Sequence, residues 1–524
     1  MNTNNILILG VTLIVAFIGA LVLGQSVASE DYAVVAGIVG TIVMIGVIAT
    51  LKSNVWILIP IFFTFGGRIL VLPLPFSVSN LAVMFVFTVI IGQVAIGMIK
   101  PRFKITKTDI IGLLVLTSVG LTFLLNPVGI AAMSSDTVGS RPYFEIALGL
   151  CAYLVLAGIT PNLNILRKLP VFQIFLSLFM AIGSALAYFF VSIGSRLYFV
   201  YSGFAPHLSS TANPNKIEVA RLRFLVPPAK RWMLYTMARS NAWQISVLGL
   251  GITLTAISIH LGAALMSGHR LAVINWVAHI GLFILITRNF KLGFIAVFFG
   301  MTAIGGLYSY HHAIGPIPLS AQRALTVIPG DWDHHVVRET EESTDWRIEM
   351  WEQALFSKGM INNKVVGDGF SYSSHELHLL RRMQIGEGSV GGLSPEELAQ
   401  YYLVTGDLHS GPISTIKHVG YIGLFFVTIF AVAVAVGYYR LCMRNREKPM
   451  WIVFMYFGIP AIWFPISFIF LYGDFKSELA LLLVSAGMLK LLQKAELLQN
   501  QQLQPEKEAI QSSENIKRSR LERS

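Results

Sequence analysis

Arg270, Arg347 and His409 are the residues whose types and settings best suit chemistry on a negatively charged leaving group. A guanidinium is a planar fork of donors that matches phosphate oxygens and stays charged. A histidine changes charge near neutral pH and can orient or deprotonate a hydroxyl. Arg270 ends Ser267-Gly268-His269-Arg270, where the apolar run 271–287 begins. Arg347 lies in Ser343-Thr344-Asp345-Trp346-Arg347-Ile348-Glu349-Met350-Trp351. His409 lies in Gly406-Asp407-Leu408-His409-Ser410-Gly411-Pro412, just before the next apolar run.

Each has a plainer reading beside the chemical one. An arginine at a membrane boundary often only snorkels to the headgroups. Ser343 or Asp345 can cap a helix that has Arg347 in its first turn, where free N–H groups favour an anion; the plainer alternative is an ion pair with Glu349 or Asp345. Trp346, Met350 and Trp351 form a helical-period apolar face suited to packing. Val366-Gly367-Asp368-Gly369-Phe370 reads as a tight glycine turn, and Pro318 to Leu325 as a short amphipathic helix. Arg323 on that helix is a secondary contact to phosphate or sugar, or part of a lid on the membrane surface. Asp345, Asp368, Glu376 and Asp407 are rival bases to His409. His334-His335 lack further ligands at helical or strand spacing, so no metal site is expected.

The elements that must position these groups are membrane helices. Hydrophobic residues are 54% and charged residues 13% of the 524 positions, and the mean hydropathy is +0.66, outside the range of soluble domains. Apolar runs long enough to span a bilayer fall near 5–23, 32–51, 54–75, 80–98, 108–125, 143–159, 171–192, 241–262, 271–287, 291–310, 417–439, 450–471 and 475–493. The first lacks a basic n-region, so Ser26-Val27-Ala28 is not read as a cleavage site. The expected architecture is an all-α polytopic membrane protein of about 12–14 transmembrane helices. It divides into N-terminal helices 1–240 with a polar connection 194–240, helices 241–310 carrying Arg270, a partly helical loop 311–416, helices 417–493, and a disordered tail 494–524. The loop holds seven of the twelve histidines.

Lys100, Arg102, Lys104 and Lys107 crowd one connection, and Arg440, Arg444, Arg446 and Lys448 another. The positive-inside rule makes both cytoplasmic and puts loop 311–416 on the opposite face. Seven predicted spans between them is an odd number, and an even one is needed; Gly194–Ser240 is the stretch expected to hide a short crossing or a broken helix. The net charge of +11 points to anionic lipid or phosphate-bearing substrates, and no basic-aromatic nucleic-acid module is present. Cys151 and Cys442 do not make a disulfide framework.

Taken in order, these segments resemble the O-antigen ligase and polymerase family of bacterial envelope glycosyltransferases, whose fold is termed C-type glycosyltransferase-like. Ser267-Gly268-His269-Arg270 matches the arginine that follows a small-residue turn at a helix start. Arg347 with Trp351, then Gly367-Asp368-Gly369, match the arginine helix followed by Gly-x-Gly, and His409 matches the histidine before the next span. The agreement covers roughly Ser240 to Leu424, and Ser410 stands where the family usually has Asn.

The resemblance implies a metal-independent, inverting transfer from a polyprenyl-diphosphate-linked glycan, without cofactor, at the periplasmic face of a bacterial inner membrane. Arg270 and Arg347 would clamp the diphosphate and His409 would serve the acceptor hydroxyl, with Arg323, Trp351, Gly367 and Gly369 around the substrate. The acceptor is a glycan, lipid or protein, in polymerisation or ligation of O-antigen or exopolysaccharide; polysaccharide-export or chain-length-control proteins are further partners. A polysaccharide or lipid-linked-oligosaccharide transporter is the alternative, for which Arg68, Gln93, Glu145, His260 and Glu478 are scattered candidates for buried polar groups. A non-catalytic membrane assembly partner is a third reading, under which Arg270 and Arg347 would be dispensable.

Overall fold

The computed structural model describes residues 46, 48–63, 65, 67–70, 76–128, 139–204, 221–240, 246–357, 360–371, 401–446 and 448–521. The expected spans 5–23 and most of 32–51, and Glu376, lie outside them. Among the described residues there are helices and two isolated bridges but no strand. Helices satisfy their own backbone groups, which a bilayer demands.

The chain forms two compact units. The smaller covers 1–99 and 183–206. In it a 3-10 turn, Lys52–Ile57, runs into α1 (Leu58–Phe62), and α2 spans Val78–Ala95. The expected span 54–75 is not one helix: the apolar helical stretch is Ile48–Phe62. Extended backbone follows, bridging Arg68 to Ser77 and Ile69 to Tyr201. Gly67 is required in that extended stretch, since a Cβ there would lie 2.5 Å from the Tyr201 ring.

The larger unit holds α3 (Lys107–Leu125), α4 (Ser140–Gly158) and most of α5 (Leu163–Phe189), whose end leads into α6 (Val191–Val200) in the smaller unit. It continues with α7 (Val226–Arg239), α8 (Val247–Met266), α9 (Arg270–Thr287) and α10 (Phe290–Ala313). The loop carries α11 (Leu319–Leu325) and α12 (His334–Phe356); then come α13 (Gly411–Arg444), α14 (Trp451–Phe470) and α15 (Phe475–Leu521). Nine helices among the described residues are long and apolar enough to cross a membrane. The chain is therefore an all-α, multi-pass membrane protein. The expected span 475–493 is helical as well, but Lys476, Glu478 and Lys490 make it more charged than those nine.

α7 lies in the polar connection 194–240. Pro227 and Pro228 occupy its first turn, where a missing N–H costs nothing. Met233, Leu234 and Met237 are buried, and the helix packs on α8 and α14. Its start lies near the end of α8, because Leu222 N donates to Met266 O at 3.1 Å. Among the described residues, seven helices between the two basic connections are of membrane length (α3, α4, α5, α8, α9, α10 and α13), so a crossing by α7 would make the spans even in number.

Those connections share one rim of the larger unit. Lys490 Nζ donates to Lys104 O at 3.2 Å, and Lys494 Nζ to Arg102 O at 2.8 Å and Ile159 O at 3.0 Å. Arg444 pairs with Glu496 at 3.0 Å, and Arg446 reaches the Thr287 carbonyl. α15 continues to Leu521, through most of the stretch read from the sequence as a tail. The Gln, Glu, Lys and Leu that fill it are good helix formers, and its apolar half is held along α4.

Candidate functional site

The opposite rim gathers arginines around α12. Asp333 caps this helix, its Oδ1 accepting from His335 N at 2.9 Å. The helix therefore starts nine residues before Ser343, and the expected cap at Ser343 or Asp345 is not used. Buried Val336 and Thr340 and the Arg338–Glu342 pair at 2.7 Å explain the extension. Arg347 thus sits in the helix middle, so free N–H groups do not help it hold an anion.

What surrounds Arg347 instead is other arginines. Thr344 and Arg347 lie one turn apart on α12, and Glu339 lies two turns before Arg347. Arg270, first residue of α9, donates from Nη2 to Thr344 Oγ1 at 3.3 Å, one turn from Arg347. Arg323 of buried α11 donates to Gly268 O at 2.7 Å, and its Nε lies 3.4 Å from Glu339 Oε1. Arg221 reaches the same carboxylate oxygen. Arg223 stands close to Arg221 and Tyr472.

The electrostatics record the crowding. Burial, then Arg221, pushes the Arg323 guanidinium down to about 10, with Glu339 opposing and Arg270 and Arg347 adding to the shift. Burial and then Arg270 lower that of Arg347. His269 is pushed down to about 4 by burial, and then by Arg223, Arg221, Arg323 and Arg347. Arg347 Nε is shielded from solvent without a hydrogen-bond partner among the described residues. Glu339 is the carboxylate set against this group, so a multiply charged anion would relieve repulsion that the protein leaves in place.

His409 meets α12 through that helix's tryptophans. Its backbone is left-handed (φ 51°), and its Nδ1 lies 3.1 Å from Asp407 Oδ1. The ring stacks on Tyr472 at 5.4 Å, with Tyr402 at 5.4 Å and Trp346 at 6.3 Å. Trp351 Nε1 donates to Leu408 O at 2.7 Å. Arg347 therefore lies between two tryptophans that both touch the His409 segment. Met350, Ala354, Leu403, Leu408 and Ile413 form the apolar cluster beneath. Burial, aided by Asp407 and other acids and opposed by Arg347, pushes the Tyr472 hydroxyl up to about 12.

Other expected residues are placed elsewhere. Gly367 and Gly369 back onto a break in α13: Asp368 N donates to Lys417 O at 2.8 Å and Gly369 N to His418 O at 3.0 Å. Asp368 spends its carboxylate on Asn362 N and Asn363 N, both at 2.9 Å, so it shapes the turn. Asp345 is exposed. His311 Nδ1 accepts from Ile317 N at 3.3 Å, and its ring stacks on Trp332 at 5.0 Å, so its role is to shape the loop. His334 and His335 lie edge to face at the start of α12.

Sequence reading missed Arg221, Arg223, Tyr472 and Asp474. Asp474 is pushed up by burial and by Asp407, against Lys476, and its Oδ1 lies 3.3 Å from Ser414 Oγ. The available signal for the arginines was Arg221-Leu222-Arg223, two cations without an acid in a stretch too polar to be a span. No protein-family model matches the chain, and no curated protein matches it.

Proposed function

We propose that this protein transfers a glycan from a polyprenyl-diphosphate carrier to an acceptor hydroxyl, at the periplasmic face of a bacterial inner membrane. The observation that carries the reading is the group Arg221, Arg270, Arg323 and Arg347 set against Glu339, beside the His409–Asp407 pair, at a rim of a membrane bundle. Such a site suits a diphosphate that arrives with a lipid tail and gains charge as it leaves.

In this reading the acceptor O–H gives its proton to His409 Nε2, and the Asp407 carboxylate, 3.1 Å from Nδ1, stabilises the imidazolium charge that forms. The acceptor oxygen bonds to the anomeric carbon from the face opposite the leaving group. The bond from that carbon to the diphosphate oxygen breaks, and its electron pair stays on the diphosphate. Arg270 and Arg347 stabilise the added charge without reorganising, a contribution worth ~10²–10³ in rate per donor in enzymes generally. The same chemistry serves polymerisation, with a second lipid-linked glycan as acceptor, and ligation, with a different acceptor.

The test is transfer of a labelled glycan from polyprenyl diphosphate by purified protein in detergent. Transfer by the wild type, cut by ~10²–10³ in Arg347→Ala and in Arg270→Ala, supports the proposal. Wild-type rates in either variant would overturn the site. Binding of the lipid-linked glycan without transfer, with movement across sealed vesicles, would replace the reading with transport.

A further inference from the structure

On the rim opposite the arginine cluster, a cavity of about 740 Å³ opens between α3, α4, α13 and α15. Its lining is largely apolar, with Leu113, Leu116, Leu154 and Phe430. Its mouth carries Lys104, Arg444, Lys490 and Lys494. We propose that this cavity binds one anionic glycerophospholipid, its phosphate held by Lys104 within the field of the Lys494 charge and an acyl chain along Leu113 and Phe430.

Charge and polarity together support that occupant. Asp109 is neutralised by Lys490 at 2.6 Å and also accepts from Tyr153 Oη at 2.7 Å. Glu496 is engaged by Arg444 at 3.0 Å and by Asn445 Nδ2 at 2.8 Å. Lys494 bonds to the carbonyls of Arg102, Ala157 and Ile159, which carry no charge to balance its own. Lys104 is exposed, with no acidic partner among the described residues. Two uncompensated cations thus edge an apolar hole.

The strand of chain at the mouth has the same dual character. Arg102 and Lys104 alternate with Phe103 and Ile105, which are 56% and 79% exposed. Basic and apolar side chains held side by side at a helix end fit the headgroup boundary, where phosphate and acyl chain meet. A free aqueous anion would leave Leu113, Leu116 and Phe430 facing water, whereas an acyl chain covers them. The inference rests on the multi-pass architecture and is independent of the proposed glycosyl transfer.

The experiment is native mass spectrometry of the full chain, purified in detergent and exposed to an equal mixture of phosphatidylcholine and phosphatidylglycerol. One retained phosphatidylglycerol is expected. Lys104→Glu should lower its retention by about fivefold or more, from the energy of one basic charge near an anionic surface. Leu113→Trp, which fills the groove without altering charge, should lower it too. Equal retention of the two lipids, wild-type retention in both variants, or loss in Arg347→Ala would overturn the proposal. So would full displacement by millimolar inorganic phosphate, which would mark an anion site without a lipid requirement.

Discussion

At the scale of single residues, the argument turns on which cations have a partner. Arg323 donates to a carbonyl and faces Glu339, and it is buried, so Arg323→Ala should lower stability as well as activity. Arg221 is less buried and shares Glu339. Arg221→Ala should cut transfer by about tenfold to a hundredfold, the ~1.5–3 kcal/mol of a charged hydrogen bond, with the melting temperature retained; unaltered kinetics would remove Arg221 from the site. His269 gives a pH test. Its folded pKa of about 4 lies below the ordinary 6.5, so the unfolded chain takes up its proton first as pH falls. Its contribution to stability is complete above pH 6.5 and is lost progressively towards pH 4. His269→Gln should flatten the fall of melting temperature across that window, and inorganic diphosphate should narrow it by raising the folded pKa. An unchanged slope in the variant would contradict the arginine crowding. Arg270, Arg347 and His409 were legible because each ends or begins a recognisable local pattern. Arg221 was not, because its meaning depends on a glutamate 118 positions away.

At the scale of elements, the break in α13 organises the loop. Gly420 has φ 68° and ψ −174°, a conformation that L side chains rarely adopt. The freed backbone there is used: Tyr421 N donates to Lys364 O at 2.8 Å and Ile422 N to Val365 O at 3.3 Å, while Thr122 Oγ1 of α3 holds Val366 O at 3.0 Å. Gly367 must come close, because a Cβ on it would lie 2.4 Å from Val419 N. Gly420→Ala should therefore cost at least the ~1–3 kcal/mol of the strained backbone, with a further penalty from contact with the Val365 carbonyl. Gly305→Ala, with open space and an ordinary conformation, should be neutral. Thermal unfolding in detergent compares the two, and equal melting temperatures would mean that α13 is not pinned at this break. The glycine turn was legible as a turn, but its partner was not, since Gly420 and Gly423 in the run His418 to Leu424 are equally at home in an unbroken membrane helix. The start of α12 was misplaced for a different reason: Asp333, Ser343 and Asp345 are all good caps, and burial of Val336 and Thr340 with the Arg338–Glu342 pair selects the first.

At the scale of the whole chain, hydropathy exposes the long helices but not α7. Lys230, Arg231 and Arg239 lower its average, and fourteen residues rise only about 21 Å, short of the ~30 Å core. Its buried methionines sit against α8 and α14, so it need not be apolar all round. That shelter is why composition hides it, and the even count that the charged connections require is the reason to test whether it crosses. A topological prediction follows. Cys442 is fully buried and Cys151 is half-buried, so a variant with both replaced by Ala provides a background for single introduced cysteines. Lys107→Cys and Lys448→Cys should react with a membrane-impermeant maleimide only after the cells are permeabilised, because their rim is the basic one. Glu349→Cys, exposed on α12, should react in intact spheroplasts. If Lys107→Cys and Lys448→Cys label from opposite sides, α7 does not cross and the even count fails. If Glu349→Cys is protected along with them, the arginine cluster faces the cytoplasm, and an acceptor on the outer face could not reach it.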